Sequence, residues 1–511
     1  MPQSRTKKSI KNSVVALLFY AITLILNFFS RKIFLDYLGA DILGLNTTAL
    51  NLLQFLNLAE LGISTAVGFT LYAPLRNGDK ITINEIVTLQ GHLYKRIAYG
   101  IIIASLILMC FFPLIFRKIT LPLWYAYASF GVLLFSALLG YFFNYKQILL
   151  SASQQDYKIQ YSFKSVSLIK VLAQIFAIYY FQNGYVWWLI LEAIFAVLGS
   201  ITLGIMTRRT FPWLENSSVP FRHLRLKYNE FTTKIKQLFV HKIGSFALTQ
   251  TSPLIIYAYT SLSLVALYGN YIILIHGVQQ LISAIFNSLT AGVGNLVAEG
   301  NEAKIWNVFN ELFSLRFFIA AVLCFALYRT TPAFISLWIG QEYLLSNSTL
   351  AILIATLFIN MSRYTVETFI NAYGIYQDIF APLLEAAINI GLSILFGYFF
   401  GLNGILSGVL VSLVVIVLLW KPYFLFTRAI RGKLKEYIRI YGIHFFLLAI
   451  AWFLSTLIIN CFTINPTLNW TYYIAYLSIA TIIFSAIYCV FLIVFKCGIR
   501  LFFKRLAKFS I

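Results

Sequence analysis

Five charged side chains interrupt long apolar stretches of this sequence: Glu60, Lys170, Glu192, Arg363 and Glu367. A charge near the centre of a membrane helix costs about 2.5–3.5 kcal/mol on insertion scales, so each needs a partner or a function. Arg363 and Glu367 stand four residues apart and can pair along one helix face. Lys170 has no acidic residue within a turn of its own helix. Its partner therefore comes from elsewhere, or it faces an anion. Glu385, close to the start of an apolar run, is assigned no role.

Uncharged polar residues add stripes to the same stretches. Tyr20, Thr23, Asn27 and Arg31 fall within an arc of about 80° on a helical wheel. Thr47, Asn51, Gln54, Asn57, Glu60 and Ser64 cover about half a circumference. Ser245, Thr249 and Ser252 share a face, with His241 just ahead of them. His276, Gln279, Gln280, Ser283, Asn287 and Thr290 lie within about 100°. Such residues either hydrogen-bond helix to helix or line a wet cavity. Their recurrence at four equivalent places favours a hydrated central cavity.

Chemistry of the enzymatic kind is poorly supplied. His92, His223, His241, His276 and His444 show no HxxxH or HExxH spacing, and no GxSxG or GxxxxGK[ST] pattern occurs. Neither a metal site nor a catalytic group is expected. Cys110, Cys324, Cys461, Cys489 and Cys497 have no CxxC spacing and read as small buried hydrophobes.

The elements that must hold these residues follow from composition. Of 511 residues, 60% are hydrophobic and 11% charged, and the mean hydropathy is +0.82. A soluble domain carries about 25% charged residues. A water-soluble enzyme, a nucleic-acid-binding protein and a disulfide scaffold are excluded, and an all-α polytopic membrane protein is expected. The net charge of +22 is spread over short clusters rather than one patch, so the partners are membrane lipids and not nucleic acid.

Apolar runs predict about fourteen spans: 13–35, 45–73, 97–116, 121–143, 163–181, 185–206, 243–263, 265–297, 313–331, 350–372, 380–400, 402–420, 441–461 and 471–495. Twelve is the alternative. Lys and Arg gather on alternate connections. With Lys170 and Arg363 set apart as lying within spans, the connections and adjoining helix ends of the opposite side hold only Arg31, Lys32, Arg117, Lys118 and Arg329. The positive-inside rule puts both termini in the cytoplasm. The basic N-terminus is read as leading into an uncleaved first span.

Near an offset of 220 residues, Ile42-Leu43-Gly44-Leu45 falls on Leu264-Val265-Ala266-Leu267. Gln155-Asp156 falls on Gln377-Asp378, and Asn183-Gly184 on Asn403-Gly404. Two six-helix lobes in parallel pseudo-twofold repeat are expected, followed by two extra C-terminal helices. The domains are then a cytoplasmic tail (1–12), an N-terminal lobe (13–206), a basic linker (207–242), a C-terminal lobe (243–422), a basic loop (423–440), helices 13 and 14 (441–495) and a basic tail (496–511).

The stretch Phe29-Ser30-Arg31-Lys32-Ile33-Phe34-Leu35-Asp36-Tyr37-Leu38-Gly39, followed by Leu43-Gly44-Leu45-Asn46, resembles the start of bacterial polysaccharide exporters. So do Leu58-Ala59-Glu60-Leu61-Gly62-Ile63-Ser64 with Tyr72-Ala73-Pro74-Leu75, and Ser151-Ala152-Ser153-Gln154-Gln155. These are the Wzx-type flippases of the multidrug/oligosaccharidyl-lipid/polysaccharide (MOP) exporter superfamily. The likeness is strongest over residues 1–160.

The resemblance implies twelve or fourteen spans, with helices 1, 2, 7 and 8 around a central cavity and alternating access. It implies movement of undecaprenyl-pyrophosphate-linked oligosaccharide (O-antigen, capsule or exopolysaccharide) to the outer leaflet of the bacterial inner membrane. A polysaccharide polymerase and other assembly proteins would be partners. Arg31, Lys170 and Arg363 are then candidates for the pyrophosphate, since cations must meet it. Asn27, Gln54, Asn57, His276, Gln279, Gln280 and Asn287 would line the cavity and meet sugar hydroxyls. Glu60 and Glu367 would carry a coupling H⁺ or Na⁺; no other cofactor is expected. Alternatives are a cation-coupled drug antiporter of the same fold, or a membrane glycosyltransferase or ligase.

Overall fold

A computed structural model describes residues 5–60, 63–117, 121–229, 251–287, 290–375, 378 and 380–500. Within these, the side chains of 5–10, 58, 59, 65, 281, 284, 285, 287 and 290–292 are not described. Helix dominates, and no strand occurs among the described residues. The chain divides into two compact units, Met1–Ala266 and Leu267–Ile511.

The first unit contains α1 (Arg5–Leu56), α2 (Ile63–Asn77), α3 (Lys80–Cys110), α4 (Trp124–Phe142), α5 (Ser165–Tyr180), α6 (Gly184–Thr210) and the short α7 (Phe221–Lys227). Helix α8 (Leu262–Asn287) runs from the first unit into the second. The second unit continues with α9 (Thr290–Ala298), α10 (Glu302–Trp338), α11 (Asn347–Ser362), α12 (Tyr364–Tyr373), α13 (Phe380–Leu413), α14 (Leu434–Asn460) and α15 (Trp470–Val494).

Eleven helical runs among the described residues are long and apolar enough to cross a bilayer. Two of them, Lys11–Leu56 and Phe380–Arg428, run to 46 and 49 residues. At 1.5 Å per residue each is about twice the ~30 Å hydrocarbon thickness. Each is broken by a glycine. Gly39 (φ 84°, ψ 169°) interrupts α1, and Gly401 (φ 55°, ψ −133°) interrupts α13. Both backbone conformations are open to glycine and strained for other residues. The first and second expected spans, and the eleventh and twelfth, are thus joined through one glycine each. The remaining expected spans coincide with helices, and the seventh (243–263) is described from residue 251 only.

After Gly401 the chain folds back as a hairpin. A Cβ at Gly404 would strike the Phe396 carbonyl, and one at Gly408 the backbone at Ser393. Ser393 Oγ donates to the Ile405 carbonyl at 2.8 Å. Small residues four apart allow this approach where hydrophobicity gives no drive between lipid-embedded helices.

The second expected span is not one straight helix. It continues α1 to Leu56, tightens to a 3₁₀ turn over Asn57–Glu60, and resumes as α2 at Ile63. In the second unit, Phe309, Phe313 and Phe317 recur every four residues, forming one stripe on α10. Their rings meet Tyr437, Tyr441 and His444 of α14. Further along α10, Phe325 stacks on Phe484 of α15 with centroids 4.3 Å apart. These contacts dock the last two helices on α10. Several helix starts carry polar caps: Asp79, Asn301, Ser346 and Asn469 each accept from a backbone N–H three residues on.

Candidate functional site

In the first unit, the turn Asn57–Glu60 and the start of α2 face α3 and α4 across a pocket of about 420 Å³. Glu60 Oε1 accepts from Tyr94 OH at 3.0 Å and from Ser64 Oγ at 3.3 Å. Ser64 and Tyr94 hydroxyls are 2.6 Å apart. Tyr141 OH donates to Asn57 Oδ1 at 3.1 Å. Both of these donors to the Glu60 carboxylate are neutral hydroxyls, and no ion pair to it occurs among the described residues. Half of the second span's polar stripe is thereby satisfied inside this unit.

The other stripe residues of this unit are placed less closely together. Thr47 Oγ1 and Asn51 Nδ2 donate back to carbonyls four residues earlier. Gln54 is half-buried and Asn27 exposed. Arg31 Nη2 donates to the Ala266 carbonyl at 3.0 Å. Lys170 finds its partner on the next helix, with Nζ 2.7 Å from Glu192 Oε1. Gln174 Nε2 donates to Glu192 Oε2 at 3.0 Å and to the Trp188 carbonyl at 3.2 Å.

In the second unit, Arg363 and Glu367 do pair, with Nη2 to Oε1 at 2.7 Å. Two further charges join them. Lys421 Nζ lies 3.4 Å from Glu367 Oε1, and Arg363 Nη1 lies 4.0 Å from Glu385 Oε1. Glu385, to which the sequence assigned no role, is 3% exposed, and its Oε1 makes no hydrogen bond. Two cations and two carboxylates give a network with no formal net charge. Two of the three candidate phosphate cations, Lys170 and Arg363, are therefore ion-paired, and the third bonds a carbonyl.

On α8, Gln279 Nε2 and Ser283 Oγ point to Tyr364 OH, at 3.5 and 3.2 Å. His276 and Gln280 are exposed. The Asn287 and Thr290 side chains, and His241, Ser245 and Thr249, lie outside what is described, whereas Ser252 is buried.

One cation escaped the sequence reading. Arg316, three residues inside the expected span 313–331, is 2% exposed. Helix α10 begins at Glu302, placing Arg316 about four turns inside it. Its Nη1 donates to Thr368 Oγ1 at 3.0 Å, its guanidinium lies 4.8 Å from the Phe286 ring centroid, and its Nε has no partner. Thr368 Oγ1 donates in turn to the Tyr364 carbonyl at 2.6 Å. Thr368 thus links Arg316 to the residue that the α8 stripe meets and that follows Arg363 in the chain. The apolar residues preceding 313, Phe309 among them, were the signal that the helix starts earlier.

No protein-family model matches the sequence, and no curated protein matches it. Solved structures do. A lipid II flippase, MurJ, in an inward closed conformation is similar over 95% of this chain and 98% of its own, at 15% identity and a TM-score of 0.65. An inward-facing multidrug-resistance MATE transporter of the MOP superfamily is similar over 84% of this chain and 99% of its own, at 14% identity and a TM-score of 0.57. The chain is an all-α, multi-pass membrane protein with the fold shared by these two transporters.

Proposed function

We propose that the protein is a flippase for a lipid-linked oligosaccharide, carrying an undecaprenyl-pyrophosphate-linked glycan repeat across the bacterial inner membrane by alternating access, with both termini cytoplasmic. The observation that carries this reading is Arg316, buried with Thr368 as its neutral hydrogen-bond partner, one helical turn from Tyr364, which Gln279 and Ser283 meet. An arginine with a free N–H matches a pyrophosphate, and neutral amides and hydroxyls match sugars. The near full-length likeness to a lipid II flippase supports a lipid-linked substrate.

On this reading the headgroup crosses among protein polar groups, since each unsatisfied polar group in hydrocarbon costs several kcal/mol. Arg316 meets the pyrophosphate first, and Arg31 is a further candidate. Lys170 and Arg363 take part only by exchanging a glutamate for phosphate. Asn27, Gln54, Asn57, His276, Gln279, Gln280 and Asn287 serve the glycan. Glu60 carries a coupling H⁺ or Na⁺, and Glu367 changes partners with Arg363. A polysaccharide polymerase would take the product.

The test is genetic. Deleting the gene is expected to remove surface O-antigen, capsule or exopolysaccharide and to leave lipid-linked repeats in the inner leaflet. Unchanged surface glycan contradicts the proposal. One observation favours a second reading: the Glu60 pocket, lacking an ion-pair partner among the described residues, also fits a cation-coupled antiporter of small molecules.

A further inference from the structure

Where α4 ends and α6 approaches its last turn, a second cavity of about 920 Å³ opens on the first unit. Its walls are apolar and bare: Phe143, Val197, Ile201 and Ile205 are 65, 36, 51 and 46% exposed. Lys146 and Arg208 also line it. Neither makes an ion pair among the described residues. Burial, and then the neighbouring Arg208, hold the Lys146 ammonium below the ordinary lysine value. The exposed carboxylate-bearing Glu215 lines it as well. Two cations and one carboxylate leave a formal charge of plus one.

A third group reports on the ligand. Asn144 lines the same cavity at 7% exposure. Its Nδ2 donates to Ser200 Oγ at 3.0 Å, and its Oδ1 has no partner. A buried carbonyl oxygen without a donor is costly to leave unmet.

We propose that this cavity seats an anionic glycerophospholipid whose headgroup carries a hydroxyl, phosphatidylglycerol being the simplest. Its monoanionic phosphodiester meets Lys146 and Arg208, its headgroup hydroxyl donates to Asn144 Oδ1, and an acyl chain lies along Phe143, Val197, Ile201 and Ile205. Basic ends of membrane helices bind anionic headgroups in this way. Phosphatidylethanolamine is disfavoured, because its ammonium would approach two cations. Phosphatidic acid supplies the phosphate but no hydroxyl. The seat lies within one unit and does not depend on the transport reading.

Native mass spectrometry of the full chain in mild detergent tests the proposal, with phosphatidylglycerol, phosphatidylethanolamine, phosphatidic acid and a prenyl pyrophosphate as probes. Wild type is expected to retain phosphatidylglycerol above phosphatidylethanolamine. K146Q/R208Q should weaken it about thirtyfold, since each cation near an anionic surface contributes about a fivefold factor. N144L should weaken phosphatidylglycerol about fivefold, one hydrogen bond's worth, and leave phosphatidic acid unchanged. If the double variant does not fold, N144L alone decides. Equal retention of both diacyl lipids, no effect of N144L, or tighter retention of the prenyl pyrophosphate sensitive to Lys146 and Arg208 would each overturn the proposal.

Discussion

The ammonium of Lys170 lies 2.7 Å from the carboxylate of Glu192, joining α5 to α6 inside the apolar part of the first unit. Gln174 bonds the second carboxylate oxygen. Each charge makes the other tolerable in a membrane helix.

Removing one partner is therefore worse than removing both. E192Q or K170M is expected to lower stability by about 2 kcal/mol, less than for a fully buried pair because both side chains are partly exposed. The double variant should recover most of that. Thermal unfolding in detergent checks it: additive losses would show that the two residues act independently.

Arg316 is the residue on which the functional reading leans. R316A is expected to cut glycan export more than about tenfold, the loss of one charge-assisted contact, at normal protein level. R316K should restore only part, because an ammonium cannot form the planar fork. T368A removes one neutral bond and should cost less. Wild-type export in R316A takes this residue out of the mechanism.

Glu60 offers a separate test. E60Q keeps an acceptor for Tyr94 and Ser64 but no charge. It is expected to abolish the response of reconstituted transport to an imposed pH or Na⁺ gradient. An unaltered response would refute a coupling role.

The corner at Gly401 gives a structural prediction. With φ at 55° and ψ at −133°, G401A should cost about 1–3 kcal/mol of backbone strain. G404L should cost more, since its side chain meets the Phe396 carbonyl. Melting temperatures in one detergent compare them, and a G401A protein as stable as wild type would mean the corner adopts another conformation.

These residues also show what the sequence made legible. Apolar runs mark the spans because each must fill the same hydrocarbon thickness. Arg363 and Glu367 were readable as a pair because four residues bring them to one face. Glu192 stands 22 residues from Lys170, and Glu385 and Lys421 stand on other helices than Arg363, so their pairing depends on how the helices pack. Arg316 stands near the start of the expected span 313–331, and its depth became visible only because α10 begins upstream, at Glu302. The polar stripe through Asn57, Glu60 and Ser64 was seen as a face of one helix. A 3₁₀ turn divides it, and its partners are Tyr94 and Tyr141.

The most direct measurement follows a fluorescent undecaprenyl-pyrophosphate oligosaccharide in sealed vesicles containing the purified protein, with a membrane-impermeant quencher outside. Wild type should move the glycan between leaflets much faster than protein-free vesicles, and R316A should fall towards the protein-free rate. Transfer no faster than in protein-free vesicles, from protein shown to be folded, would contradict the account.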